Sequence, residues 1–472
     1  MIDDAETVEF HTAAGTVIGR VAGECVRATG IRYAQADRFA APTPLPASAE
    51  PIRALTSSPP CPQPPAAHLD AMFPGSTEST PQSEDCLRLS VTAPHRPQIP
   101  PAALPVMVFV HGGSYVNGSA DLPMYRPIRL VEEQQVVVVN MQYRLGLFGF
   151  LGDLDSTGPR PANLGLLDLI AGLRWIAANI APFGGDPDNV TLFGHSAGAE
   201  AIARLMIADG TAGLFRRAIL QSPPLGIPWD RPEMSRAAAA ATAHLDSGST
   251  VDEVLAGYGT VTETAAQFGP LIGSMPMRPQ FGAHPLPAAG EAGTAHRAVA
   301  PAIDLLIGST AREAAFLLDE IRQSVPVLRR AERIPLLGRA ITAAVVGAGG
   351  QLIYDRGIDR LARIHRRAGG RVVRYRVAWG PRRNPLRSAH GTELPFLLGD
   401  ETAWRATPLL AGSSWTQVHE KGRLLRRMWA DFARNGQTPR EIDGLFRVHE
   451  PAAARVTNVR FSGIGPHIRT DL

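Results

Sequence analysis

The chain has 472 residues, 44% of them hydrophobic and 6% aromatic, with a formal net charge of +3 at pH 7. That apolar content supports a sizeable core, which excludes a disordered chain, and the nearly balanced charge, without a long basic tract, gives no footprint for nucleic acid. The positive charge is almost all arginine, with Lys421 the sole lysine, a bias that genomic base composition explains.

The first ten residues, MIDDAETVEF, are acidic and have neither the basic start nor the apolar centre of a signal peptide, so a cytoplasmic protein is expected. Residues 8–21 alternate around Ala13-Ala14-Gly15 and predict a short hairpin. Pro42 to Pro65 is proline-rich and reads as loop. The runs 87–93, 106–110 and 136–140 are apolar and β-branched, of strand length rather than membrane length. Residues 164–180 show helical spacing and stop before Pro182. A strand is predicted over 190–193, a helix continuing over 200–207, a strand over 218–221 and a helix over 235–244. Strands follow at 303–307 and 371–376, and the last strong helix is 415–433. Residues 310–370 read as helical and arginine-rich, a candidate cap or pocket flank; the apolar stretch 336–346 inside it is short and broken by Gly338 and Arg339, so no membrane span is expected. Strands alternating with helices imply a mostly parallel sheet with helices on both faces, and a large α/β enzyme can hold all of residues 1–472 in one domain around such a sheet.

Two stretches carry chemistry. Val190–Ala199, VTLFGHSAGA, takes an apolar strand into G-x-S-x-G and then into small helix-forming residues. Gly194 and Gly198 allow the strand and helix to approach closely, leaving the Ser196 hydroxyl exposed at a tight turn as a nucleophile once a base takes its proton. Upstream, His111-Gly112-Gly113-Ser114 leaves a buried strand as a loop whose backbone N–H groups suit an oxyanion. The cysteines, Cys25, Cys61 and Cys86, cannot all pair within the chain, and neither their spacing nor any HExxH motif or His/Asp cluster points to a metal, so no metal and no cofactor are expected.

Several longer motifs, in order, resemble the type-B carboxylesterases, the cholinesterase-like branch of the α/β-hydrolases. Ser83–Leu87 is SEDCL; Tyr143–Leu151 reads YRLGLFGFL; Asn163–Asp168 and Phe183–Pro187 resemble the approach to the family's nucleophile; Gly213–Ile219 with Gln221-Ser222 resembles the segment after it; Trp429, Phe432 and Gly436 resemble a C-terminal W-x-x-F-x-x-x-G. The resemblance implies an α/β-hydrolase fold and a serine esterase forming an acyl-enzyme intermediate, with a small-molecule ester as its substrate. It picks Glu313, in Leu306–Glu313, as the acid, with Asp319 and Glu320 as competitors, and His390, before Glu393-Leu394-Pro395-Phe396, as the base. It assigns the oxyanion donors to the N–H groups of Gly113, Ser114 and Ala197.

This chain departs from the family's pattern at three places. His195 stands where the family usually has Glu, Ser114 replaces the third glycine of the oxyanion loop and is strained if that position needs φ > 0, and Pro223 replaces a glycine. His195 is a decoy as a base, because adjacency at the turn points its ring away from Ser196 Oγ. The resemblance also implies buried ion pairs Arg38–Glu84 and Arg144–Asp168, and aligns Cys61 and Cys86 with a disulfide of secreted relatives, here expected to be reduced or only partly formed. Two other functions remain open: amide, carbamate or thioester hydrolysis by the same residues, and a non-catalytic binding protein on the same fold.

Overall fold

In the computed structural model, the described residues are 6–73, 75, 81–96, 103–153, 160–318, 322, 334–381 and 383–438, with the short strands 441–442, 446–447 and 457–461. Asp319 and Glu320 lie outside the described residues. The principal strands are β1 (Thr7–Thr12), β2 (Gly15–Ala22), β3 (Cys25–Arg32), β4 (Arg88–Pro94), β5 (Leu104–Val110), β6 (Val137–Met141), β7 (Gly185–His195), β8 (Arg217–Gln221), β9 (Asp304–Thr310), β10 (Val372–Val377) and β11 (Thr457–Phe461). Among the described residues they form one sheet in the order β1-β2-β3-β4-β6-β5-β7-β8-β9-β10-β11, with Ile52–Arg53 beside β2. From β6 to β11 every neighbouring pair is parallel, while β1 to β4 form an antiparallel extension that joins through the β4–β6 pair.

Burial explains the sequence patterns. Every residue of β5 and β6 is buried, because strands covered on both faces read as unbroken apolar runs. Val106, Val108 and Val110 of β5 point into one core and Met107 and Phe109 into the other, as the two-residue period of a strand requires. Helices α1 (Leu164–Asn179) and α2 (Ala197–Leu205) cover the first face. Beyond them follow α3 (Pro232–Ala241), α4 (Val251–Ala266), α5 (Pro335–Gly350) and α6 (Arg356–Arg367). The last helix, α7 (Trp415–Asn435), covers the second face with Leu425, Met428, Trp429 and Phe432; a Ser414–Gln417 capping box starts it and Gly436 ends it.

The Arg144–Asp168 pair is buried and bidentate, at 2.7 and 2.8 Å. Arg38–Glu84 corrects the expectation of a second buried pair: it forms, but its side chains are 14% and 31% exposed, so solvent screening leaves it a small contribution to stability. All three cysteines are buried thiols. A hydrogen bond with Cys61, together with burial, holds the Cys86 thiol well above the usual range. Among the described residues no helix is long and apolar enough to cross a membrane, and no cluster of potential ligands for a metal occurs.

Candidate active site

The parallel sheet presents the carboxyl ends of β5, β7, β9 and β10 along one edge, and the predicted residues sit there. Ser196 separates the end of β7 from the start of α2, at φ 56° and ψ −123°, a conformation that costs an L-residue about 1–3 kcal/mol. The turn is held from both sides. The Ser196 N–H donates to the Gln221 carbonyl of β8 at 2.8 Å. At Gly198 the helix comes so close to β5 that a Cβ would lie 2.1 Å from the Val110 carbonyl oxygen. Ser196 is the half-buried residue in an otherwise buried run from Val190 to Leu205, so its side chain is presented rather than enclosed.

The glycine loop after β5 lies against this turn. Gly113 (φ 118°), Ser114 (φ 57°) and Tyr115 (φ 64°) all have positive φ, so the strain expected at Ser114 is present. A Cβ on Gly113 would sit 1.9 Å from the Asn117 carbonyl oxygen, which leaves no alternative to glycine. The Gly113 carbonyl instead accepts the N–H groups of Val116 and Asn117 at 3.0 and 2.9 Å. Nothing among the described residues accepts the N–H groups of Gly113, Ser114 or Ala197.

Glu313 and His390 come from the loops after β9 and β10. Backbone bonds from Ala311 to Val377 (2.8 Å) and from Arg312 to Ser388 (2.9 Å) tie those loops together. The His390 Nδ1–H donates to Glu313 Oε2 at 2.6 Å, which fixes the tautomer and leaves Nε2 as the nitrogen free toward the cavity. Glu313 is 2% exposed, so it is not the solvated start of a helix. Its other oxygen accepts the Thr310 N–H and the Ser222 hydroxyl, each at 2.5 Å. Three rings enclose His390: Phe316 stacks at 5.0 Å, Tyr354 lies at 5.1 Å and His195 at 4.3 Å between centroids.

Ser196 and His390 line the same cavity, of about 610 Å³. Its walls are mainly apolar, including Leu69, Phe73, Leu271, Phe316 and Leu352, and no Asp, Glu, Lys or Arg contributes to them among the described residues. Ser196 Oγ and the His390 ring share this cavity without a direct hydrogen bond, a contact that commonly tightens only with substrate in place. A larger groove, of about 910 Å³ and bordered by Arg32, Arg53 and Trp175, contains none of the predicted residues.

Two groups at the site were not singled out from sequence, Ser222 and Glu393. Ser222 Oγ bridges the two carboxylates, lying 3.3 Å from Glu393 Oε1. Burial and the charge of Glu313 push the Glu393 carboxyl up to about 8, so it is neutral at pH 7. Both occur inside motifs quoted above, but only the fold shows that residues 222, 313 and 393 meet.

His195 is 4% exposed, and its Nε2 has no hydrogen-bond partner. Burial, and then the nearby His390 ring, hold its pKa well below the ordinary histidine value, so it is neutral at pH 7. Burial likewise lowers His111 to about 4 and His296 to about 3. These rings stay neutral in the folded state while the unfolded chain takes up protons below about pH 6.5, so stability falls as the pH drops through that value. Calorimetric melting between pH 8 and 4 is expected to rise slightly towards pH 6.5, as the raised Glu393 carboxyl takes up its proton in the folded state, and then to decline, because three neutral rings outweigh that one carboxyl, by several kcal/mol at about pH 4. A flat profile down to pH 5 would contradict buried neutral imidazoles.

A mostly parallel sheet with a serine at the turn from strand to helix, beside a glycine loop, defines the α/β-hydrolase class. The profile of the Carboxylesterase family matches residues 5–333. The chain belongs to that family. It is 35% identical to a probable N-octanoylanthranilate hydrolase of Rhodococcus erythropolis, over 92% of this chain and 93% of the relative. It is 31% identical to the para-nitrobenzyl esterase of Bacillus subtilis (strain 168), over 93% of each. A solved PNB esterase structure superposes with a TM-score of 0.77 at 26% identity, covering 96% of this chain and 95% of that one. A thermophilic PNB esterase gives 0.75 at 28% identity, covering 91% of each. The protein is a serine carboxylesterase, as the motifs implied.

Proposed function

We propose that Ser196 is the nucleophile, His390 the base and Glu313 its orienting acid, within one hydrolase domain spanning residues 1–472 whose cap is the 310–370 segment. The observation that carries this reading is the 2.6 Å His390–Glu313 bond beside an apolar cavity that Ser196 also lines. Nε2 of His390 takes the Ser196 proton as Oγ attacks the ester carbonyl, and the Glu313 carboxylate stabilises the resulting imidazolium. The free N–H groups of Gly113, Ser114 and Ala197 receive the oxyanion, where one lost donor typically costs about 10²–10³ in rate. The imidazolium returns its proton to the departing alcohol, leaving an acyl-serine. Water, deprotonated by the same ring, releases the acid. No step calls on a cofactor.

The uncharged wall selects neutral, apolar acyl groups, because a buried charge without a partner is costly. A p-nitrophenyl butyrate is therefore expected to exceed the p-nitrophenyl succinate monoanion in kcat/KM by about 10² or more. Equal values would overturn this substrate class. The Rhodococcus relative, a probable hydrolase of N-octanoylanthranilate, favours a second reading in which the same residues cleave an N-acyl amide. An octanoyl anilide assayed beside the octanoyl p-nitrophenyl ester separates the two, since an esterase leaves the anilide essentially intact. A non-catalytic binding role is not favoured, because the sequence keeps the serine, the glutamate and the histidine that the reaction needs.

A further inference from the structure

We propose that the outer face of α6, together with the apolar residues at its start, docks the enzyme on an anionic phospholipid surface. In sequence, residues 310–370 hold eleven arginines against six acidic residues, a net charge of +5, whereas the whole chain carries +3. The structure arranges part of this excess in a line. Arg356, Arg360, Arg363 and Arg367 are all exposed and recur at spacings of four, three and four, which places them on one face of α6. Their guanidinium groups run along about 16 Å of helix.

Charge runs on helices usually mark a solvated face balanced by nearby acids, and among the described residues that balance is missing here. None of the four arginines forms an ion pair among the described residues. The described acids on or directly before the helix are engaged elsewhere: Asp359 pairs with Arg374 at 2.9 Å, and Asp355 with Arg374 and Arg376 at 3.4 and 3.2 Å. The opposite face of α6 is buried through Ile358, Leu361, Ala362 and His365, so the helix is anchored while its basic face is exposed.

The apolar neighbours select the kind of partner. The large hydrophobic side chains exposed among the described residues are Ile272, Ile334 and Leu352, at 41%, 55% and 42%. Leu352 lies four residues before Arg356, in the single π-turn Gln351–Asp355 that leads into α6, and it also borders the cavity of Ser196. Ile272 stands on a loop held by Arg231, which donates to the carbonyls of Ile272 and Ser274, both at 2.6 Å. Two residues before Arg231, Trp229 lies under the Arg360 guanidinium at 4.6 Å. An arginine row joined to apolar side chains matches phosphate headgroups joined to acyl chains. A nucleic acid would use the arginines and leave Ile272 and Leu352 in water. On a membrane the cavity mouth beside Leu352 faces the lipid phase, where apolar esters concentrate.

Flotation of the full chain with vesicles tests this independently of ester hydrolysis. The wild type is expected to float with phosphatidylcholine vesicles containing phosphatidylglycerol, to stay behind with phosphatidylcholine alone, and to be released by salt. Neutralising one surface arginine is expected to weaken partition about fivefold, so Arg363→Gln/Arg367→Gln loses about 25-fold while its turnover of a water-soluble acetate ester is unchanged. Arg356→Gln/Arg363→Gln provides a second pair with the same expected loss if the first does not fold. The proposal is overturned if the wild type ignores anionic vesicles, if it binds both vesicle types equally, or if a folded double variant floats as well as the wild type. Retention of the wild type on duplex DNA with no flotation would also overturn it, and would assign the arginine face to nucleic acid.

Discussion

Ser196→Ala is expected to yield a folded protein whose ester turnover falls by about 10⁴–10⁶. Folding survives because the strain at residue 196 belongs to the backbone, which the Ser196 N–H to Gln221 bond and the close approach of Gly198 to β5 maintain, and alanine accepts the same φ and ψ at the same cost. Ser196 Oγ does not cap α2, so its loss removes no hydrogen bond from the helix, and melting is expected to match the wild type within about 0.5 kcal/mol. The chemistry does not survive, since the variant has no hydroxyl at the turn between β7 and α2 for His390 to deprotonate. Rapid mixing with a p-nitrophenyl ester reads the result directly: the wild type releases a burst of nitrophenolate as the acyl-serine forms, and the variant releases none. Fluorophosphonate labelling gives the same answer without turnover. Full activity in Ser196→Ala would remove the proposed mechanism.

The second large effect separates two histidines whose rings touch. His390→Ala is expected to lose turnover by a factor comparable to that of Ser196→Ala, whereas His195→Ala retains it within about tenfold. His390 is bonded to Glu313 at 2.6 Å, and in the proposed mechanism that carboxylate stabilises the charge acquired during catalysis. His195 has no such partner, and its Nε2 is buried and unbonded. Two charged rings at 4.3 Å would repel by about 4 kcal/mol at an effective dielectric constant of 20, so only one of them can carry the proton in the transition state, and the one with the carboxylate is favoured. Parallel kcat and KM measurements on the two variants check this. Loss of turnover in His195→Ala with retention in His390→Ala would identify the wrong base.

Much of this protein follows from local pattern. The apolar runs of β5 and β6, the helical spacing of α1 and α7, and the strand-turn-helix around Ser196 are short-range consequences of burial and backbone geometry, and each is readable in a dozen residues. Strand β3 was not legible, because a shift of register between Ala28 and Ile31 breaks its alternation and Arg27 and Gly30 interrupt its apolar residues. Helix α4 is hard to read from the chain despite its Thr250–Glu253 capping box, since its interior is diluted by Gly257, Gly259 and threonines.

For the site, the order Ser196, Glu313, His390 and the glycine loop were fixed by motifs in the chain itself. The convergence of those residues belongs to the tertiary structure. So does the bridging of Glu313 and Glu393 by Ser222, the neutral state of His195 against the His390 ring, and the exposure of the arginine row on α6. The division has one cause: spacing along a strand or helix is set by bonds between near neighbours, whereas burial, charge state and pairing depend on which distant segments the sheet brings together.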